Sequence, residues 1–179
     1  MKQETKDTIL LIVALLSVFT AGIIFCHIVH LISTEGSLNT YTDGVITATF
    51  DQEAGTLTFS GNGAVDDTRW WLENLKTEQR VFVRTIVFED GITSIGDCEF
   101  SELGKYVNLE KVIFEGDINE IGSCAFSDNP NLTTVEFMGS CRRIDYLAFH
   151  GCVSLDTINI PDGCDVGFDA FGLTELTKP

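Results

Sequence analysis

Leu109-Glu110-Lys111-Val112-Ile113-Phe114 is followed seven residues later by Ile121-Gly122-Ser123-Cys124-Ala125-Phe126, and the two together form a phrase that recurs. The first half returns as Val83-x-x-Ile86-x-Phe88, Leu132-x-x-Val135-x-Phe137 and Leu155-x-x-Ile158-x-Ile160. The second half returns as Ile95-Gly96-Asp97-Cys98-Glu99-Phe100, Ile144-Asp145-Tyr146-Leu147-Ala148-Phe149 and Val166-Gly167-Phe168-Asp169-Ala170-Phe171. Val112, Val135 and Ile158 are spaced by 23 residues, whereas Ile86 precedes Val112 by 26, the extra three falling between Phe100 and Leu109. A fixed period in this range specifies a solenoid, in which each unit buries its apolar side by stacking on its neighbours.

Within each unit the x-Ile-x-Phe part reads as a short strand. Alternation directs Ile86 and Phe88, Val112 and Phe114, Val135 and Phe137, and Ile158 and Ile160 inward. Thr85, Val87, Lys111, Ile113, Thr134, Glu136, Met138, Thr157 and Asn159 then face outward as one strand face, the candidate binding surface. The Ile-x-x-x-Ala-Phe part carries the chain back across the far side of the coil. Its Phe fills the space between turns, and Ala125, Ala148 or Ala170 makes room beside it. His150, next to Phe149 on this return side, is expected to be exposed. The predicted repeats run over 83–176.

Upstream, Val45 to Phe50 and Thr56 to Ser60 flank a turn and predict a β-hairpin, which Gly61-Asn62-Gly63 closes. Asp66 and Asp67 are placed to cap a short helix from Arg69 to about Arg80, with Trp70, Trp71, Leu72 and Leu75 on its apolar side. Hairpin and helix, over 44–82, are read as the N-terminal cap of the solenoid, because an open stack end exposes core. Residues 33–43 read as a polar linker.

The N-terminus differs in kind. Ile9 to Ile32 contains no Asp, Glu, Lys or Arg, and 24 residues of helix span roughly 36 Å. The segment is longer than the apolar core of a signal peptide and no A-x-A follows it, so it reads as an uncleaved transmembrane anchor. A secreted form after cleavage is the alternative. Lys2 and Lys6 precede the span and the next cation is Arg69, which predicts a cytoplasmic stub over 1–8 and an extracellular C-terminal domain. His27 and His30 sit near the outer end of the span as interfacial polar residues.

Formal net charge is −16, all of it carried by the part beyond the span. A field of that sign disfavours nucleic acid and anionic membrane surfaces and keeps a repeat protein soluble. No phosphate loop, G-x-S-x-G or H-E-x-x-H occurs, no catalytic residue is expected, and no cofactor or metal is implied. Gly61 to Asp67 is a single imperfect approach to a calcium loop. Asn131-Leu132-Thr133 is a glycosylation sequon that matters only in a eukaryotic secretory route.

Five cysteines follow the span. Cys98 and Cys124 both lie two residues before the repeat Phe, and Cys141 and Cys164 both lie six after the strand aliphatic. Adjacent coils are ~4.8 Å apart, within reach of a disulfide, so Cys98–Cys124 and Cys141–Cys164 can bridge and leave Cys152 over. The alternative is that all five are small buried hydrophobes, as free Cys readily is. With no C-x-x-C, structural zinc is not expected.

The repeat resembles the BspA-like subclass of leucine-rich repeats, whose unit runs x-x-L-x-x-I-x-I-P-x-x-V-x-x-I-G-x-x-A-F-x-x-C. Leu155 to Pro161 matches the strand phrase, Ile121 to Phe126 the return phrase, and Ala148-Phe149-His150-Gly151-Cys152 the ending. The resemblance spans about 44–176 and implies a mainly β, right-handed solenoid of about four repeats with a small concave face. It implies a cell-surface or secreted protein that binds other macromolecules without catalysis. A protein ligand is the expected partner, with self-association through the open C-terminal edge near Ile158 to Leu176 as the alternative.

Overall fold

The computed structural model describes residues 38–43, 45–66, 75, 77–101, 108–174 and 176. The span over 9–32 and its stub therefore lie outside the described residues. Among those described, no helix is long and apolar enough to cross a membrane.

The chain is a β-solenoid of about four turns. A seven-stranded sheet has the order β1-β2-β3-β5-β7-β9-β11, with β1 at Leu38–Thr42, β2 at Ile46–Asp51, β3 at Thr56–Gly61, β5 at Thr85–Phe88, β7 at Lys111–Phe114, β9 at Thr134–Phe137 and β11 at Thr157–Ile158. From β3 onward every neighbour is parallel and in register, so Leu57, Ile86, Val112, Val135 and Ile158 form one row. Sequence periodicity and strand register therefore coincide: one repeat advances the chain by one strand spacing.

The return phrases do more than carry the chain back. They form a second, five-stranded parallel sheet of β4 (Gly63–Val65), β6 (Ile92–Ile95), β8 (Glu120–Ile121), β10 (Arg143–Ile144) and β12 (Asp165–Val166). At Gly122 the preceding coil approaches closely enough to favour glycine: a Cβ there would lie 2.8 Å from the Gly96 carbonyl carbon, although the equivalent position of the next coil carries Asp145. A third side of each coil is tied by turn hydrogen bonds to the next. The Phe100 N–H donates to Ala125 O, the Phe126 N–H to Ala148 O and the Phe149 N–H to Ala170 O, all at 2.7–2.8 Å.

Two columns of phenylalanine fill the interior. Phe59, Phe88, Phe114 and Phe137 stack at 5.3, 5.0 and 4.9 Å between ring centroids. Phe100, Phe126, Phe149 and Phe171 stack at 5.1, 5.2 and 5.4 Å. The columns meet edge to face, as at Phe88–Phe100, 5.6 Å and 75° apart, the offset that the ring quadrupoles favour.

Several expectations change. β2 and β3 form the predicted antiparallel hairpin, but Gly61 and Gly63 do not simply close it. Gly61 ends β3 and Gly63 begins β4, so β3 and β4 already make a turn of the solenoid ahead of the first full repeat. β1 lies within the segment read as linker; its Thr40, Tyr41 and Thr42 are good strand formers on a sheet edge. Of the helix expected over 69–80, Thr77–Arg80 is one helical turn, α1, and residues 67–74 and 76 lie outside the described residues. Ile160, assigned inward, is 39% exposed, because β11 ends at Ile158 and, among the described residues, no later coil covers it. His150, expected to be exposed, is half-buried 3.7 Å from Asp169.

Candidate binding face

The outward side chains of the seven-stranded sheet lie in rows fixed by the register. One row holds Thr56, Thr85, Lys111, Thr134 and Thr157, and the next holds Thr58, Val87, Ile113 and Glu136. Each predicted outward residue from Thr85 to Glu136 is half-buried by its lateral neighbours, while Met138 stands 71% exposed beyond β9. Lys111 and Glu136 sit diagonally across β7 and β9 with Nζ–Oε1 at 2.8 Å. That pair leaves the middle of the face without net charge on an otherwise acidic chain.

The face extends further toward the N-terminus than the repeats alone indicated. Thr47 and Thr49 on β2 stand opposite Ser60 and Thr58 on β3, adding a hydroxyl-rich end to the same surface. The signal was present in the sequence, where Thr alternates with Ala, Phe and Leu in Thr47-Ala48-Thr49-Phe50 and Thr56-Leu57-Thr58-Phe59.

Asn159 behaves differently from the other residues assigned to the face. Its Oδ1 accepts from the Phe137 N–H and its Nδ2 donates to the Phe137 carbonyl, each at 3.3 Å. The amide thus stands in for the strand backbone that ends at Ile158 and satisfies an otherwise open edge of β9.

A related device lies inside. Asn129 and Cys152 each fall three residues after the column Phe and reach back one coil. Asn129 Nδ2 donates to Phe100 O at 3.2 Å, and Cys152 Sγ to Phe126 O at 3.2 Å. Asn129 is 1% exposed and Cys152 fully buried. Burial pushes the Cys152 thiol up to about 12, so it stays protonated. Cys141 is also buried, Cys124 and Cys164 are half-buried and Cys98 is exposed, so the cysteines do not form one uniform class of core side chains. Among the described residues no cluster of His, Cys, Asp and Glu is placed to hold a metal ion.

The repeat register has a counterpart in known proteins. A family model for the BspA-type leucine-rich repeat region (6 copies) matches residues 79–178, more than half of the chain. The chain belongs to the BspA-type leucine-rich repeat family. Among solved structures it is similar to a leucine-rich cell-surface protein from Faecalibacterium prausnitzii. That match has 21% identity and a TM-score of 0.48, covering 78% of this chain and 47% of the other. A leucine-rich repeat protein from Bacteroides capillosus matches at 21% identity and a TM-score of 0.44, covering 78% and 95%. One from Eubacterium ventriosum matches at 21% identity and a TM-score of 0.44, covering 72% and 45%. The chain thus spans less than half the length of the Faecalibacterium and Eubacterium proteins. No curated protein matches it.

Proposed function

We propose that this BspA-type chain is a membrane-anchored module that presents the outer face of its larger sheet outside the cell for protein–protein interaction or adhesion. The observation that carries the reading is the in-register array of outward side chains, from Thr56 and Thr58 through Val87, Lys111, Ile113, Thr134 and Glu136 to Thr157. Adjacent strands hold these groups at fixed spacing, so binding on this face loses little conformational freedom. The composition suits a protein ligand: Val87 and Ile113 offer apolar contact, the threonines offer hydroxyls, and Lys111 with Glu136 offers one charge of each sign. Anchoring rests on the uncharged run from Ile9 to Ile32 and on the cations before it. The description of the Faecalibacterium protein as a cell-surface protein agrees with an extracellular location. The reading assigns no reaction to the chain.

The test is capture of cell-surface proteins by the immobilised wild-type chain and by an Ile113→Thr/Glu136→Lys variant, which keeps a β-branched residue on β7. The reading expects a partner retained by wild type and lost by the variant, with Tm unchanged. A partner retained equally by both contradicts the assignment of this face.

A second reading is self-association through the last coil. There a cleft of about 720 Å³ is lined by Ile158, Ile160, Val166, Phe168, Phe171 and Leu173, and Phe168 is 81% exposed. Exposed strand edges beside an apolar patch invite pairing. Sedimentation of the wild type and of Phe168→Glu separates the readings, since only self-association predicts a dimer that this variant dissolves.

A further inference from the structure

Two pairs of cysteines face one another across adjacent coils, and the binding face uses neither. Cys98 and Cys124 occupy the same left-handed turn in successive coils, with φ of 57° and 56°. Equal backbone conformation sends their Cα–Cβ bonds in the same direction one strand spacing apart. The Cys98 N–H donates to the carbonyl of Ser123, immediately before Cys124, at 2.9 Å and fixes that register. The Cys98 Sγ reaches the same Ser123 carbonyl at 3.8 Å, which places the thiol beside the backbone of Cys124. Cys141 bridges to Ile118 in the preceding coil, and Cys164 lies in the next coil just before β12, where the Asp165 N–H donates to the Arg142 carbonyl at 2.9 Å and fixes the two segments side by side. All four thiols are free in this structure.

We propose that Cys98–Cys124 and Cys141–Cys164 are two inter-coil disulfide sites, closed by exchange with a low-molecular-weight disulfide outside the cytoplasm, and that Cys152 remains a thiol. Coil spacing of ~4.8 Å lies within the Cα separation that a disulfide spans. Accessibility sets the order of events. Exposed Cys98 loses its proton, and its thiolate attacks one sulfur of the external disulfide. A mixed disulfide forms and one small thiolate departs, taking up a proton. Cys124 then loses its proton and attacks Cys98 Sγ, which forms the inter-coil bond and expels the second small thiol. Two protein thiols are oxidised, and two electrons and two protons end on the two small thiols.

Half-buried Cys164 begins the same sequence at the second site, and buried Cys141 completes it. Burial and the neighbouring Cys98 thiol push Cys124 up, and burial with the Cys164 thiol pushes Cys141 up, so both ionise reluctantly and entry falls to the more accessible Cys98 and Cys164. Cys98–Cys124 would close the loop that contains the three-residue insertion between Phe100 and Leu109, and Cys141–Cys164 would join the coils of β10 and β12.

The experiment equilibrates the full chain with oxidised glutathione, alkylates it, and digests it without reduction with trypsin and with a protease that cleaves before Asp. Cleavage at Lys105 and before Asp117 separates Cys98 from Cys124, cleavage before Asp128 separates Cys124 from Cys141, and cleavage at Arg142 and before Asp156 and Asp162 separates Cys141, Cys152 and Cys164. Two cross-linked peptide pairs are expected, both lost on reduction, with Cys152 alkylated only after unfolding and with the oxidised chain melting several degrees above the reduced one. In Cys98→Ser the Cys141–Cys164 pair is expected to persist. Alkylated Cys98 and Cys164 after equilibration, other pairings, or loss of the second bridge in Cys98→Ser each overturn the proposal. The outcome does not depend on whether the strand face binds a protein.

Discussion

Phe126 has a ring above and a ring below it in its own column, and it also meets Phe88 and Phe114 edge to face at 6.2 and 6.3 Å. Phe171, at the end of that column, stacks on Phe149 and is only partly buried. Removing a buried Phe side chain costs about 3–5 kcal/mol when the site cannot collapse. Phe126→Ala is therefore expected to lose an amount in that range in urea unfolding, and Phe171→Ala clearly less. Equal losses would mean that the column is not shared between coils. Charge acts at the same scale. Asp117 Oδ1 accepts from the Ser140 N–H at 2.7 Å and from its Oγ at 2.8 Å, bonds that hold its pKa below the ordinary aspartate value. A depressed folded pKa contributes stability that is present above the unfolded value, ~3.9, and is lost as pH falls through the folded one. Wild type should thus exceed Asp117→Asn in Tm by a constant amount near neutral pH, and the gap should close as pH drops below about 4. A gap that persists in acid would assign the effect to something other than this carboxylate.

The ends of the strands are what distinguish elements that the sequence announces from those it hides. β5, β7 and β9 are four residues each with strict inward–outward alternation, and the 23- and 26-residue steps suffice to place them in register. The two-residue strands β8, β10 and β12 are too short for a periodic signal, so their joining into a second sheet emerges only once the coils stack. Gly63–Val65 was obscured for a different reason: Gly61-Asn62-Gly63 reads as turn chemistry, yet the chain passes straight from β3 into a return strand. Likewise Ile160 fits the inward alternation, but the pattern cannot report that β11 stops at Ile158 and leaves the side chain uncovered. Asn159 turns that gap to use, because its amide completes β9 where β11 stops. Asn159→Ala is expected to raise the hydrogen-exchange rate of the Phe137 amide by an order of magnitude or so and to leave the Val112 and Phe114 amides unchanged. Unchanged exchange at Phe137 would remove this role from the Asn159 side chain.

For the whole molecule the period matters more than any single residue. Each coil contacts only the next, so stability is carried by the contacts between neighbours, and the outer face inherits its rigidity from them. The candidate surface was legible where it follows the repeats, from Thr85 to Glu136. Its extension over Thr47, Thr49, Thr56 and Thr58 became visible only through the pairing of β2, β3 and β5. The identity of a ligand is not encoded in that period, because the inward positions obey packing while the outward ones are free to vary. The most direct measurement of the shared interior is an aromatic nuclear Overhauser spectrum of the phenylalanine-labelled chain. Ring-to-ring contacts are predicted in the order Phe100, Phe126, Phe149, Phe171, with a parallel series through Phe59, Phe88, Phe114 and Phe137. Rings that contact only residues of their own repeat would contradict the stacked coils and, with them, the rigid face on which binding is proposed.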